Sequence, residues 1–162
     1  MEQEKDANKQ LSELSELVAP NDIAMLTTKT VDGHMRSRPI EVCFVSDKGE
    51  IFFFAQTSDE LTTDITDHNH VSLSFINRAD DNYTSVSGLA QLSKNNEDMV
   101  AFWRDRYQRW IHGGLEDPSV VLLKINTTYA EHWTFSGIVR NIIKFLKFGE
   151  KGPTLIHEKL YG

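Results

Sequence analysis

Between Asn21 and Gln56 the chain carries three strand-like runs with nothing but turns between them: "DIAMLTTKT", "MRSRPIEVCFV" and "IFFFAQ", separated at 31–33 by "VDG" and at 46–50 by "SDKGE". Parallel neighbours need a crossover of a dozen or more residues, so these runs can pair only as antiparallel hairpins. A doubly wound parallel sheet is thereby disfavoured. Later runs read the same way. In "HVSLSFI" (70–76) Val71, Leu73 and Phe75 alternate with Ser72 and Ser74, the pattern of a half-buried strand. "NYTSVSGLAQLS" (82–93), interrupted by Gly88, and "SVVLLKINTTYAEHW" (119–133) are two more. Helical spacing is confined to a few places. Leu11, Leu14, Leu17 and Val18 precede Pro20 as a short amphipathic helix. "TSDE" (57–60) has the form of a capping box, Thr57 capping and Glu60 three residues on, which predicts a helix through Ile65. Met99, Phe102, Trp103, Tyr107 and Trp110 predict one long helix over 95–111. The sum is a mainly β fold, a small barrel with peripheral helices.

The chain of 162 residues fits one domain, 1–162, with a core large enough to be stable alone. A formal charge of −7, with no sustained basic run, argues against a nucleic-acid partner. Cys43 is the single cysteine, so an intramolecular disulfide framework is excluded. The charged start "MEQEKDANKQ" is no signal peptide, and no apolar run is long enough to span a bilayer. A cytoplasmic location is expected.

Against that acidic background "HMRSRPIEV" (34–42) stands out. Residues i and i+2 of a strand share a face, so Arg36 and Arg38 lie side by side. They are either solvated charges guarding an edge strand or the cations of an anion site. Pro39 cannot donate to a ladder, which marks an edge or a bulge there. Other candidates are thinner. "HNH" (68–70) offers two histidines without a third ligand at zinc spacing and reads as a polar turn, so no metal is expected. Cys43 sits in an apolar strand and reads as a small core residue. No nucleophile–base–orienter set assembles, so hydrolysis has no support. Trp110, just before "HGG", is the aromatic of its stripe expected to be exposed.

The order "MLTT", "DG", "RSRP", "IFFFAQTS", "HVSLSF", "YTSVSGLA", "FW", "GGLEDPSVVLLKI", "YAEHW" resembles the general stress protein branch of the pyridoxamine 5′-phosphate oxidase-related flavoproteins, over about residues 8–133. The resemblance implies a split β-barrel, a homodimer with FMN in clefts between subunits, and an oxidoreductase-like role in which the flavin carries the chemistry. It places Arg36, Arg38, Pro39, Ile40 and Glu41 along the flavin phosphate and ring. Phe54, Ala55, Thr57 and Ser58 complete the pocket, with Tyr83 approaching the ring and Trp110 counted among the cofactor-binding residues. The alternative within the resemblance is a non-catalytic stress protein that binds flavin or another ligand without tight FMN affinity. Three positions depart from the family pattern. Ala55 replaces a threonine, Asp59-Glu60-Leu61 stands where a Ser-x-Lys serves the phosphate, and Cys43 stands where the oxidases place a lysine. Residues 134–162 read as a helical extension. There Ile138, Ile142, Phe145 and Leu146 oppose Arg140, Lys144 and Lys147, a face expected to pack on protein rather than on a membrane.

Overall fold

The computed structural model describes residue 9 and residues 13–134, 139–144 and 157–161. Residues 13–17 form a helical turn, α1, which buries Leu14 and Val18 completely. The hairpins follow as the turn chemistry dictates: β1 (Ile23–Lys29), β2 (Met35–Val45) and β3 (Glu50–Gln56), with Gly33 at φ 90° supplying the left-handed residue of the first turn. Helix α2 (Glu60–Asp67), β4 (His70–Asn77), β5 (Asn82–Ser93), α3 (Asn96–Phe102), a 3-10 segment (Asp105–Arg109) and β6 (Val120–Thr134) complete the core.

Every pairing is antiparallel, and the sheet runs β3-β2-β1-β4-β5-β6 before β6 pairs back onto β3. Closure makes a six-stranded barrel. Inward residues alternate as the pleat demands, with Ala24, Leu26, Val42, Ile51, Phe53, Leu73, Val86, Leu123 and Ile125 fully buried in one cluster. Leu61 and Ile65 of α2 join that cluster, so the helix plugs one end of the barrel. A second cluster lies outside the wall, where Met99, Tyr107 and Ile111 cover Cys43, Phe52, Phe54, Val120 and Leu122.

Three sequence expectations are corrected. Thr57 does not cap α2. Its N–H donates to Ser119 O at 2.8 Å, which holds it as an extension of the β3–β6 ladder, and Asp59 takes the N-cap position without a side-chain cap bond. The helix expected over 95–111 breaks at Trp103, which is extended. The break lets Phe102 stack on Phe44, centroids 4.3 Å apart, while Trp103 and Tyr107 both meet Phe54. Arg104 Nη1 donates to the carbonyls of Ala101 and Trp103, which the break frees. The C-terminal extension is not helical where it is described. Val139–Lys144 and His157–Tyr161 are strands, β7 and β8. Only Val120–Asn126 of β6 pairs with β3, so the same edge at Tyr129–Thr134 is open and β7 fills it, helped by the β-branched Val139, Ile142 and Ile143. The rest of 134–162 lies outside the described residues apart from Thr134.

The hand-over on β6 is set by a bulge. Ser87 faces Tyr129 and Gly88 faces Thr127, leaving Thr128 as the extra residue. A Cβ on Gly88 would stand 2.4 Å from Asn126 O and 2.8 Å from Ile125 Cγ2, and backbone oxygen cannot retreat. Gly88→Ala is therefore expected to cost about 2 kcal/mol, lowering Tm by roughly 4–8 °C. Thermal denaturation followed by circular dichroism reads this directly, and an unchanged Tm would remove the bulge as a constraint.

Candidate functional site

The β2–β3 ladder begins only at Val42 and Phe53, so Arg38–Glu41 and Phe54–Gln56 splay apart. Into this split opens a cleft of about 450 Å³, within the range of small-ligand sites. Arg38, Pro39, Ile40 and Glu41 form one wall and Phe54 and Ala55 the other. Ser58 to Leu61 lie at the start of α2, and Tyr107, Trp110 and Ile111 close the outer side. Val42 exchanges both backbone bonds with Asn21 and Asp22 on the β1 side. Strand alternation then turns the backbone groups of Pro39 and Glu41 toward the split. Pro39 thus lacks its N–H on the unladdered edge, as its residue type suggested.

Both arginines are occupied. Arg38 Nη2 donates to Asp64 Oδ2 at 3.0 Å and to Thr28 Oγ1 at 3.1 Å, and the Thr28 hydroxyl donates to the same carboxylate oxygen at 2.8 Å. Asp64 is 5% exposed at its side chain and Arg38 21%, so this triad sits at the barrel mouth, largely out of water. Arg36 pairs with Glu60 one turn earlier on α2, in a more exposed contact. The match is geometric: two residues of a strand advance about 6.6 Å, and four residues of a helix about 6 Å. Arg38 Nη1 is buried without a hydrogen-bond partner among the described residues.

Glu41 is the second charged group of the cleft, 1% exposed at its side chain. Trp110 Nε1 donates to its Oε2 at 2.7 Å, and Arg106 Nε lies 2.7 Å from its Oε1. Trp110 is accordingly half-buried rather than free, with Arg109 over its ring at 4.9 Å. Cys43 is no nucleophile. Burial pushes its thiol up to about 12, and Sγ donates to Phe52 O.

Of the site residues expected from sequence, the cleft gathers Arg38, Pro39, Ile40, Glu41, Phe54, Ala55, Ser58 and Trp110. Arg36 stands beside it, bound to Glu60. Thr57 faces a different surface groove with Thr62 and Thr66. Tyr83 is on β5, three strands from β2 in either direction round the barrel, so one chain cannot bring it to the split. Sequence reasoning missed Tyr107, read only as part of the helical stripe, and Ile111 and Asp64. The 60/64 spacing was the available signal for Asp64, since it matches 36/38. No group of three or more potential metal ligands occurs among the described residues.

The family model described as "Pyridoxamine 5′-phosphate oxidase like" matches residues 9–153. The protein bli-3 of Neurospora crassa is 24% identical over 153 residues, covering 88% of this chain and 72% of its own. Among solved structures, general stress protein 26 of Bacillus anthracis superposes with a TM-score of 0.67 at 23% identity, covering 76% of this chain and 92% of that one. A pyridoxamine 5′-phosphate oxidase-related, FMN-binding protein of Nostoc punctiforme reaches 0.71 at 12% identity, covering 98% and 96%.

The triad yields a stability prediction with a pH signature. Burial alone would raise the Asp64 carboxyl, but the Thr28 hydroxyl and the Arg38 guanidinium outweigh it and hold it below the ordinary range. A folded-state pKa below the unfolded one contributes stability above about pH 4, lost as pH falls through the folded value. Arg38→Ala is expected to cost about 2–3 kcal/mol, because it strands a buried carboxylate. Asp64→Asn should flatten the acid limb of the stability curve. Urea unfolding of both variants between neutral pH and pH 3 checks it, and an Asp64→Asn curve parallel to wild type would refute the role of the triad.

Proposed function

This chain belongs to the pyridoxamine 5′-phosphate oxidase-like family, and from that premise we propose that the β2–β3 cleft is a flavin site and the protein a small FMN-binding redox or stress-response flavoprotein. The observation that carries the reading is Arg38 Nη1, a buried donor without a partner, in a cleft whose other walls are the apolar faces of Ile40, Phe54, Leu61 and Ile111 with Trp110. A planar ring with acceptor atoms suits that combination: apolar faces against its plane, donors at its edge. The Glu41 N–H, turned into the split, is a further donor at the edge. A bound flavin would supply electron or hydride transfer. The chain's own residues orient and desolvate it, and no side chain here is arranged as a general acid or base.

The cleft is open on the side of Pro39, and the barrel's outer face runs on from there. Pro39 pairs with Met25, and Ile23, Met25 and Ile76 are 46%, 42% and 64% exposed on that face. Ile76, Tyr83 and Trp133 are in register across β4, β5 and β6. A contiguous apolar face of this kind supports a homodimer in which a second copy covers the split and brings its own Tyr83 toward it.

A second reading, a ligand-binding protein without catalysis, is favoured by Asp59 and Glu60, whose carboxylates stand where a phosphate would meet the helix end. Purified protein separates the two. The first reading predicts absorbance near the flavin maxima, or its appearance on adding FMN, with a dimeric mass in light scattering. Protein that stays colourless with added FMN would leave only the second. Met25→Glu with Ile76→Glu is expected to give monomers with at least tenfold weaker flavin binding. Unchanged dimers would place the subunit contact elsewhere.

A further inference from the structure

Resting on the flavin reading above, we infer that the cleft holds a flavin by its ring alone, so that the terminal phosphate adds nothing to affinity and riboflavin binds at least as well as FMN. A phosphate site needs cations whose charge is available, and here three of the guanidiniums around the cleft already have a carboxylate, while Arg109 is stacked on Trp110. Arg38 is bound to Asp64, Arg36 to Glu60 and Arg106 to Glu41. The start of α2 gives no help, since Asp59 occupies its N-cap and Glu60 its first turn, both lining the cleft. These carboxylates stand at the positive helix end and would face a phosphate as like charges. Asp59 also accepts the Gln56 N–H, which fixes it at the mouth. Of the paired guanidiniums, Arg38 keeps one N–H group without a partner, Nη1, and it is buried beside Asp64 rather than at the acidic rim. That position suits a neutral acceptor atom at a ring edge better than a dianion, whose desolvation a single N–H does not offset.

The measurement is flavin fluorescence on titrating wild-type protein with riboflavin and with FMN, at low salt and at about 0.3 M salt, where the Debye length has fallen to several ångströms. A phosphate gripped by an arginine fork ordinarily adds roughly ten- to a hundredfold. Here riboflavin is expected to bind as tightly as FMN or tighter, and FMN binding to strengthen as salt screens the carboxylates. Asp59→Asn with Glu60→Gln, both exposed positions, should raise the ratio of FMN to riboflavin affinity several-fold. FMN binding more than about threefold tighter than riboflavin, and weakening with salt, would overturn the inference while leaving the flavin site standing. If neither flavin binds, the flavin reading itself fails and this inference with it.

Discussion

The interaction on which the rest of the molecule depends is the triad of Thr28, Arg38 and Asp64 at the barrel mouth. A six-stranded barrel has two ends, and inward side chains near each end must be covered or solvated. Helix α2 covers this one with Leu61 and Ile65, but an eight-residue helix buries too little apolar surface to fix its own orientation. The triad supplies that orientation. It ties α2 to β1 and β2 at once, through hydrogen bonds whose directions tolerate little rotation. Because Ser58–Leu61 form the near edge of the cleft, the same contact sets the width of the split.

Strand edges are shared unevenly around β3 and β6. β6 is fifteen residues long, and its first half closes the barrel on β3 while its second half pairs with β7. The bulge at Thr128, allowed by the bare backbone of Gly88, bends β6 between the two tasks. Between β2 and β3, an irregularity between Val42 and Phe44 leaves Cys43 unpaired in the ladder, which stops one pair beyond it at Val42 and Phe53. The irregularity beside Cys43 lies next to the split, whereas the Thr128 bulge lies at the far end of β3, beyond the Glu50–Asn126 pair.

Much of this was legible in the sequence, and the failures have physical causes. The strand runs stood out because each alternates against one core, and their turns carry Gly33 and Gly49 at positive φ. The cleft walls from Arg38 to Glu41, and Phe54, Ala55 and Ser58, were legible as well, through resemblance rather than spacing, whereas Thr57 was misplaced. The capping box misled because Thr57 answers to a long-range partner, Ser119, that no local pattern contains. The 95–111 stripe satisfied helical periodicity, yet aromatic contacts with Phe44 and Phe54 outweighed it. Residues 139–144 carry β-branched side chains that serve either period, and the open edge of β6 decided between them.

Arg36 and Arg38 answer a question that residue type alone leaves open. Two guanidiniums on one strand face attract an anion, and the nearest anion belongs to the chain itself. Glu60 and Asp64 ride on a helix that the hydrophobic core has already docked, so their carboxylates are held at the arginines at an effective concentration far above the millimolar range of a flexible tether. An external phosphate that took over the Arg38 Nη2 contact would leave Asp64 buried with only the Thr28 hydroxyl on it. The cost of that stranded charge exceeds what one charge-assisted bond returns. The arginine pair therefore serves the barrel before it serves any ligand. A chain that had kept a lysine at position 61 would carry a cation not already committed to the core. In this chain Leu61 is instead among the residues that seal the barrel, so closing the mouth and gripping a phosphate compete for the same helix turn.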